Sequence, residues 1–374
     1  MSHRTGGPWF CDANAGGPAL PEVLEEFVAV ERRFPANPSS AHAGGREARG
    51  ALEQARERVA AAIGARASDV VFTSGGTEAG NLAVRGLGDL DRPVLLGELE
   101  HPAVRESARA RGCIAWDVDG TGAVIVTPPR APIGLVAIVH AQSEVGTLQP
   151  VEAAAGVACR EAVPLFVDAA QTLGRVALQP LFDLGAVVAL SPHKAGGLRG
   201  NGVLVGPDLP ARLAPLMHGG GQELGLRPGT PSVALAAANA LAIELATATC
   251  DQRAEQMRQN RDAFAQAVQT SGCQHQVLTP LRDSVPNTIM MCFDGLDGRS
   301  LLPALDLAGV QASHGSACSS GSPTPPPVLA AMSVDVSRAR SCVRFSFDWF
   351  ERRDECARAG ATVGEVALRL CKKK

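Results

Sequence analysis

The chain has 374 residues, 45% hydrophobic and 20% charged, with a net charge of −3. That length supports a large domain plus a smaller one, and Gly (40) and Pro (26) stay below the low-complexity range, which excludes global disorder. Near-neutral charge gives no reason to expect nucleic acid or a membrane surface as the partner, and no apolar run reaches bilayer length.

Helical periodicity over Pro21 to Arg33 places Leu24, Phe27 and Val28 on one face. Ala41 to Ala65, rich in Ala, Glu and Arg, reads as a longer helix. Val70-Val71-Phe72 is a short strand that breaks at Gly75-Gly76 into a helix through Asn81, Leu82 and Val84. The alternation repeats. Strands are predicted at Pro93 to Leu96, Leu135 to Val139, Leu165 to Val167, Val187 to Leu190 and Gly202 to Val205. Helices are predicted at Pro102 to Arg111 and Val151 to Ala162. Apolar runs without alternation, separated by helices, indicate a mainly parallel sheet buried on both faces, so the fold class is α/β.

Thr230 to Ser271 reads as one long helical region, Ala-rich at first and charged after Cys250. The junction is placed inside it. A large domain covers residues 14–245, and a small α+β domain covers 246–374 together with 1–13. The small domain carries a strand at Asn287 to Phe293, a helix at Arg299 to Ala308, a strand at Cys342 to Phe347 and a final helix from Glu351. Gly321 to Pro327, with four prolines, reads as an exposed loop.

The first ten residues lack the apolar stretch of a secretory signal, so a reducing cytoplasm is expected. Ten cysteines form no C-x-x-C pair and no zinc spacing. No metal is therefore expected, and most of these thiols read as buried small apolar side chains. Tyr is absent, which excludes a mechanism resting on its hydroxyl.

In an open parallel sheet, ligands sit beyond the carboxyl ends of the strands. Gly76, Thr77, His101, Ser143, Asp168, Ser191, His193 and Lys194 all fall at such ends. Thr77 and Ser191, each taken alone, read equally as turn or helix-cap residues. Asp168 at one strand end and Lys194 at a later one suit a pyridoxal 5'-phosphate (PLP) site. The competing reading of that pair is a plain ion pair. Gly75-Gly76-Thr77 opening a helix suits an anion, since backbone N–H groups and the helix dipole meet it there.

The run Ser191-Pro192-His193-Lys194 with Gly200-Asn201-Gly202 resembles the lysine motif of the cysteine desulfurases, the NifS-like branch of the class V aminotransferase family of fold-type I PLP enzymes. Further segments resemble that family in the same order. They include Thr73-Ser74-Gly75-Gly76-Thr77-Glu78, Glu100-His101-Pro102 and Val167-Asp168-Ala169-Ala170-Gln171. They continue with Arg227-Pro228-Gly229-Thr230, Gly315-Ser316-Ala317-Cys318-Ser319-Ser320-Gly321 and Val343-Arg344-Phe345-Ser346. The resemblance spans nearly the whole chain.

It implies roles residue by residue. Lys194 would hold PLP and shuttle the substrate's α-proton. Asp168 would pair with the pyridine nitrogen, Gln171 with the phenolic oxygen, and His101 would stack on the ring and carry protons. Gly76, Thr77, Ser191 and His193 would bind the phosphate. Thr230 would reach the phosphate site of a neighbouring subunit, which implies a homodimer. The Ala-rich helix after Thr230 would also expose apolar surface without a second copy. Arg344 would clamp the substrate carboxylate, with a surface ion pair to Asp348 or Glu351 as the competing reading. Cys318 would be the nucleophile that takes sulfur from L-cysteine, leaving alanine, and would pass it to an acceptor protein.

Three positions depart from the family pattern: Ser143 stands where Asn is usual, Asp12 to Pro18 lacks a Thr pair, and His314 replaces a Ser. They keep two other readings open. One is another PLP enzyme on this scaffold, such as a C–S lyase or an aminotransferase. The other is an impaired sulfur-carrier subunit.

Overall fold

The computed structural model describes residues 8–315 and 326–372. Strand β1 (Trp9–Phe10) precedes helices α1 (Pro21–Arg33) and α2 (Ala43–Ile63). Then β2 (Val70–Thr73), α3 (Gly76–Gly86), β3 (Val94–Gly97), α4 (Pro102–Arg111) and β4 (Cys113–Trp116) follow. The alternation continues through β5 (Leu135–Val139), α5 (Val151–Arg160), β6 (Leu165–Asp168), α6 (Gln179–Asp183), β7 (Val187–Leu190), β8 (Gly202–Val205) and α7 (Leu209–Arg212).

These strands form a seven-stranded sheet in the order β2-β8-β7-β6-β5-β3-β4. Its strands run parallel except β8, which is antiparallel to both neighbours. Successive side chains of a strand enter opposite faces. Val70 and Phe72 of β2 thus join one core and Val71 the other. Leu52 of α2 and Val157 of α5 cover the first face, and Leu82 of α3 and Val104 of α4 cover the second. Burial on both faces is why the strands read as unbroken apolar runs.

Helices α8 (Val233–Ala248) and α9 (Cys250–Thr270) replace the single helix expected from the sequence, and they meet at a 75° bend. Tertiary packing sets that bend. Ile243 of α8 packs in the core of the large sheet, whereas Phe264 of α9 packs in a second core. The Ala-rich α8 is buried within the chain, so it leaves no apolar face that needs a second copy.

After α9 come β9 (His275–Val277), β10 (Thr288–Phe293), α10 (Gly298–Leu307), β11 (Val310–Gln311), α11 (Pro327–Ala331), α12 (Val336–Ala339), β12 (Cys342–Ser346) and α13 (Arg353–Cys371). An antiparallel sheet, β12-β10-β9, carries the second core on one face. Gly360 of α13 lets that helix lie against α9, since a Cβ there would collide with the Phe264 carbonyl. Strand β1 pairs parallel with β11, and Asp12 bridges to Ser346, which ties the N-terminus to this smaller sheet.

One further expectation needs correction. Pro326 is buried and Pro327 opens α11, so the proline-rich stretch is not all exposed loop. Proline is pre-organised for the first helical position. Of the nine cysteines among the described residues, five are buried, in keeping with the expectation for most of them, while Cys113, Cys159 and Cys371 are exposed.

Candidate active site

Strands β2, β3, β5, β6 and β7 share one sense, and their carboxyl ends open onto a single cavity of about 230 Å³. The cavity gathers every site residue expected from the sequence except Thr230 and Cys318. Thr230 lies outside it, exposed, where its hydroxyl accepts from Asn37 Nδ2 at 3.5 Å. Cys318 lies outside the described residues. The two described residues that flank it lie together, since a Cβ on Gly315 would meet Pro326 and, at 3.4 Å, Glu144 Cγ.

At one end of the cavity, Gly75 is the N-cap of α3 and supplies no side chain to cap it. Ser191 Oγ approaches so closely that a Cβ on Gly76 would collide with it. Neither Thr77 nor Ser191 makes a capping bond, so the cap reading is not realised. His193 stands beside them, and burial together with neighbouring Lys194 and Arg199 pushes it down to about 4. Its ring is neutral at pH 7.

Asp168 closes β6 with its Oδ1 accepting from the Ala170 N–H at 3.0 Å. Lys194 ends the short turn after β7. His101 is the N-cap of α4, its Nδ1 accepting from the Ala103 N–H at 3.1 Å. That bond puts the proton of the neutral ring on Nε2, and burial lowers the pKa of the ring. Behind it, Glu100 Oε1 accepts from the Val139 N–H at 2.8 Å while Oε2 has no partner among the described residues. Burial pushes this carboxyl up to about 8, so it is largely protonated at neutral pH.

The wall opposite comes from the smaller sheet. Arg344 of β12 is 2% exposed, so the surface ion pair is ruled out. Its NH1 donates to the Ser143 carbonyl at 3.0 Å and its NH2 to Asp12 Oδ1. The neighbouring amide, Gln142, does not stand in for the asparagine usual at position 143. Its Oε1 accepts from the Glu144 and Val145 N–H groups and so caps that turn.

Two residues missed in the sequence hold this floor together. Asn14 Nδ2 donates to the Ser143 carbonyl at 3.0 Å and to Thr288 Oγ1 at 2.8 Å. Its Oδ1 accepts from Arg175 NH1 at 2.9 Å and Asn287 Nδ2 at 3.0 Å. Arg175, 4% exposed, also donates to Gln171 Oε1 at 2.6 Å and to the Lys194 carbonyl at 3.4 Å. It forms no ion pair within 4.0 Å among the described residues, and burial pushes it down to about 10. The only signal in the sequence was a lone arginine between Gly174 and Val176.

The model of the family described as aminotransferase class-V matches residues 9–358. A cysteine desulfurase IscS of Dictyoglomus turgidum is 34% identical over 360 residues, covering 92% of this chain and 91% of the relative. The chain belongs to the class-V aminotransferases, in their cysteine desulfurase branch. An IscS-like cysteine desulfurase of Mycobacterium tuberculosis is 35% identical, with 90% of each chain covered. Among solved structures, a NifS-like protein superposes with a TM-score of 0.86 at 29% identity, covering 98% of this chain and all of that one. SspA in complex with cysteine gives 0.76 at 27% identity, over 92% and 99% of the two chains.

Desulfurases of this family work with PLP, and the residues here suit that group. The uncapped start of α3 is narrowed by Ser191 to a cradle in which a Cβ at position 76 would crowd the Ser191 hydroxyl. A carboxylate and a lysine share the same cavity.

Proposed function

We propose that this desulfurase holds PLP on Lys194, seats L-cysteine at Arg344 and delivers the substrate sulfur to Cys318. The observation that carries the proposal is the convergence of Lys194, Asp168, His101 and Arg344 on one cavity. When bound, the cofactor would supply an electron sink for bond breaking at the substrate Cα. Asp168 keeps the ring nitrogen protonated, and the uncapped N–H groups of α3 with Ser191 and neutral His193 hold the phosphate. Gln171 spends one amide hydrogen on the Asn14 carbonyl, which leaves the other for the phenolic oxygen. Lys194 moves the α-proton, and His101 Nε2 is a second proton carrier beside it.

The sulfur step takes place on this chain's own thiol. The thiolate of Cys318 attacks the substrate sulfur, an S–S bond forms and the C–S bond breaks. The remaining three carbons take up protons and leave as alanine, and Cys318 is left as a persulfide. Cys318 is three residues from Gly315, a span of at most about 10 Å. It passes its sulfur to an acceptor protein.

The working unit is a homodimer in the cytoplasm. Thr230 supports the dimer, because it is exposed and lies away from the cavity of its own chain. A solution mass of a single chain with full PLP loading would contradict this.

Ser143 favours a second reading, a C–S lyase, because a serine cannot donate as the usual asparagine does. Product analysis decides between them. PLP-loaded protein given L-cysteine and a thiol acceptor should release alanine in step with sulfur, whereas pyruvate and sulfide would establish the lyase.

A further inference from the structure

Arg344 of the cavity holds a carboxylate that the reaction described above does not use. Asp12 follows β1, and its side chain is 22% exposed. Its Oδ1 accepts from Arg344 NH2. On the same edge of that guanidinium lies Nε, which is buried and has no partner among the described residues. NH1 is already given to the Ser143 carbonyl. The edge formed by Nε and NH2 offers two parallel N–H bonds, which match both oxygens of one carboxylate. Asp12 uses one of the two. A buried N–H left unpaired costs free energy, so a carboxylate that takes both bonds is favoured in that seat.

We infer that Asp12 is an internal stand-in for the substrate's carboxylate, half-filling the Arg344 seat and giving it up when L-cysteine binds. The inference rests on reading Arg344 as the carboxylate clamp. The Nε–NH2 edge gives both of its bonds to one carboxylate only, so Asp12 and the substrate carboxylate compete for it. One of them must go, and Asp12 is the one with a way out. Arg344 is 2% exposed and fixed through Ser143, whereas the Asp12 side chain reaches water. Only the side chain needs to turn, because the Asp12 backbone is bridged to Ser346. Without substrate, Asp12 keeps the buried cation paired and poised. With substrate, it is a competitor that raises the ligand concentration needed.

The test uses PLP-loaded protein and two probes, L-alanine and ethylamine, the same amine without the carboxylate. Binding is followed by the cofactor absorption spectrum. Asp12→Asn keeps the shape and removes the charge. It should tighten L-alanine by about fivefold and leave ethylamine unchanged. Asp12→Ser, a second neutral variant, should do the same, and Asp12→Glu should stay as weak as the wild type. L-alanine binding that is unchanged or weaker in both neutral variants overturns the inference. Arg344→Lys separates the two layers. If it weakens L-alanine while the Asp12 variants do not tighten it, only the stand-in role falls. If it leaves L-alanine unchanged, the clamp reading and the inference fall together.

Discussion

Arg175 shows how much of the site depends on a residue with no obvious chemistry. A single buried cation fastens Asn14 of the N-terminal segment, Gln171 after β6 and the backbone of Lys194 after β7. Arg175→Met should leave Asn14 Oδ1 and Gln171 Oε1 short of a donor. The expected loss is about 3 kcal/mol of stability, read by urea unfolding, together with weaker PLP retention. Arg175→Lys should recover part of both; a Met variant as stable as the wild type would show the network to be incidental. Gly76→Ala is sharper in its target. Its Cβ collides with Ser191 Oγ in the cradle, so PLP affinity should fall by about tenfold or more while the overall fold survives. Equilibrium dialysis against PLP checks it, and unchanged affinity would move the phosphate elsewhere. Strand-end residues such as Asp168 and Lys194 were legible in the sequence because position along an apolar run marks the crevice. The Asp12–Arg344 pair was not, because its members are 332 residues apart and no local pattern joins them.

At the scale of elements, the central strands were readable because burial on both faces leaves unbroken apolar runs. Strand β4 was not, since Cys113 and Ala115 on this edge strand are exposed and break the pattern. The break between α8 and α9 also escaped the sequence, because neither proline nor glycine marks it. Packing makes that corner. Arg253 of α9 lies 3.8 Å over the Trp349 ring and donates to the Ala195 carbonyl at 3.1 Å, next to Lys194. Arg253→Ala should remove both contacts and cost about 2 kcal/mol. It should also broaden the pH titration of the PLP absorption band, because the turn holding Lys194 loses a tether. A variant with wild-type unfolding and an unchanged titration would assign the corner to apolar packing alone.

Across the whole molecule, the two cores meet where Asp348 is buried close to Arg175 and Arg253. Burial pushes Asp348 up to about 6, against both arginines, which lower it. The folded state therefore holds this proton more tightly than the unfolded chain does. The contribution of Asp348 is fully present below about pH 4 and is lost as pH rises through about 6, by up to about 3 kcal/mol. Asp348→Asn cannot titrate. Its stability relative to the wild type should thus rise between pH 4 and 7 in urea unfolding, and parallel curves would contradict the assignment. Family resemblance made the whole scaffold legible at once, because motifs from Gly76 to Arg344 occur in order along the chain. How the smaller sheet delivers Arg344 to the large sheet's edge, and which side chains pin it there, emerged only from three-dimensional packing.

The central claim is that sulfur leaves L-cysteine for Cys318. The direct measurement is mass spectrometry of the Cys318 peptide after one equivalent of L-cysteine, with alanine quantified in the same sample. The account predicts a peptide heavier by one sulfur atom, one alanine for each such peptide, and neither product from Cys318→Ser although that variant still binds PLP and L-cysteine. Alanine formed at the wild-type rate by Cys318→Ser would contradict it.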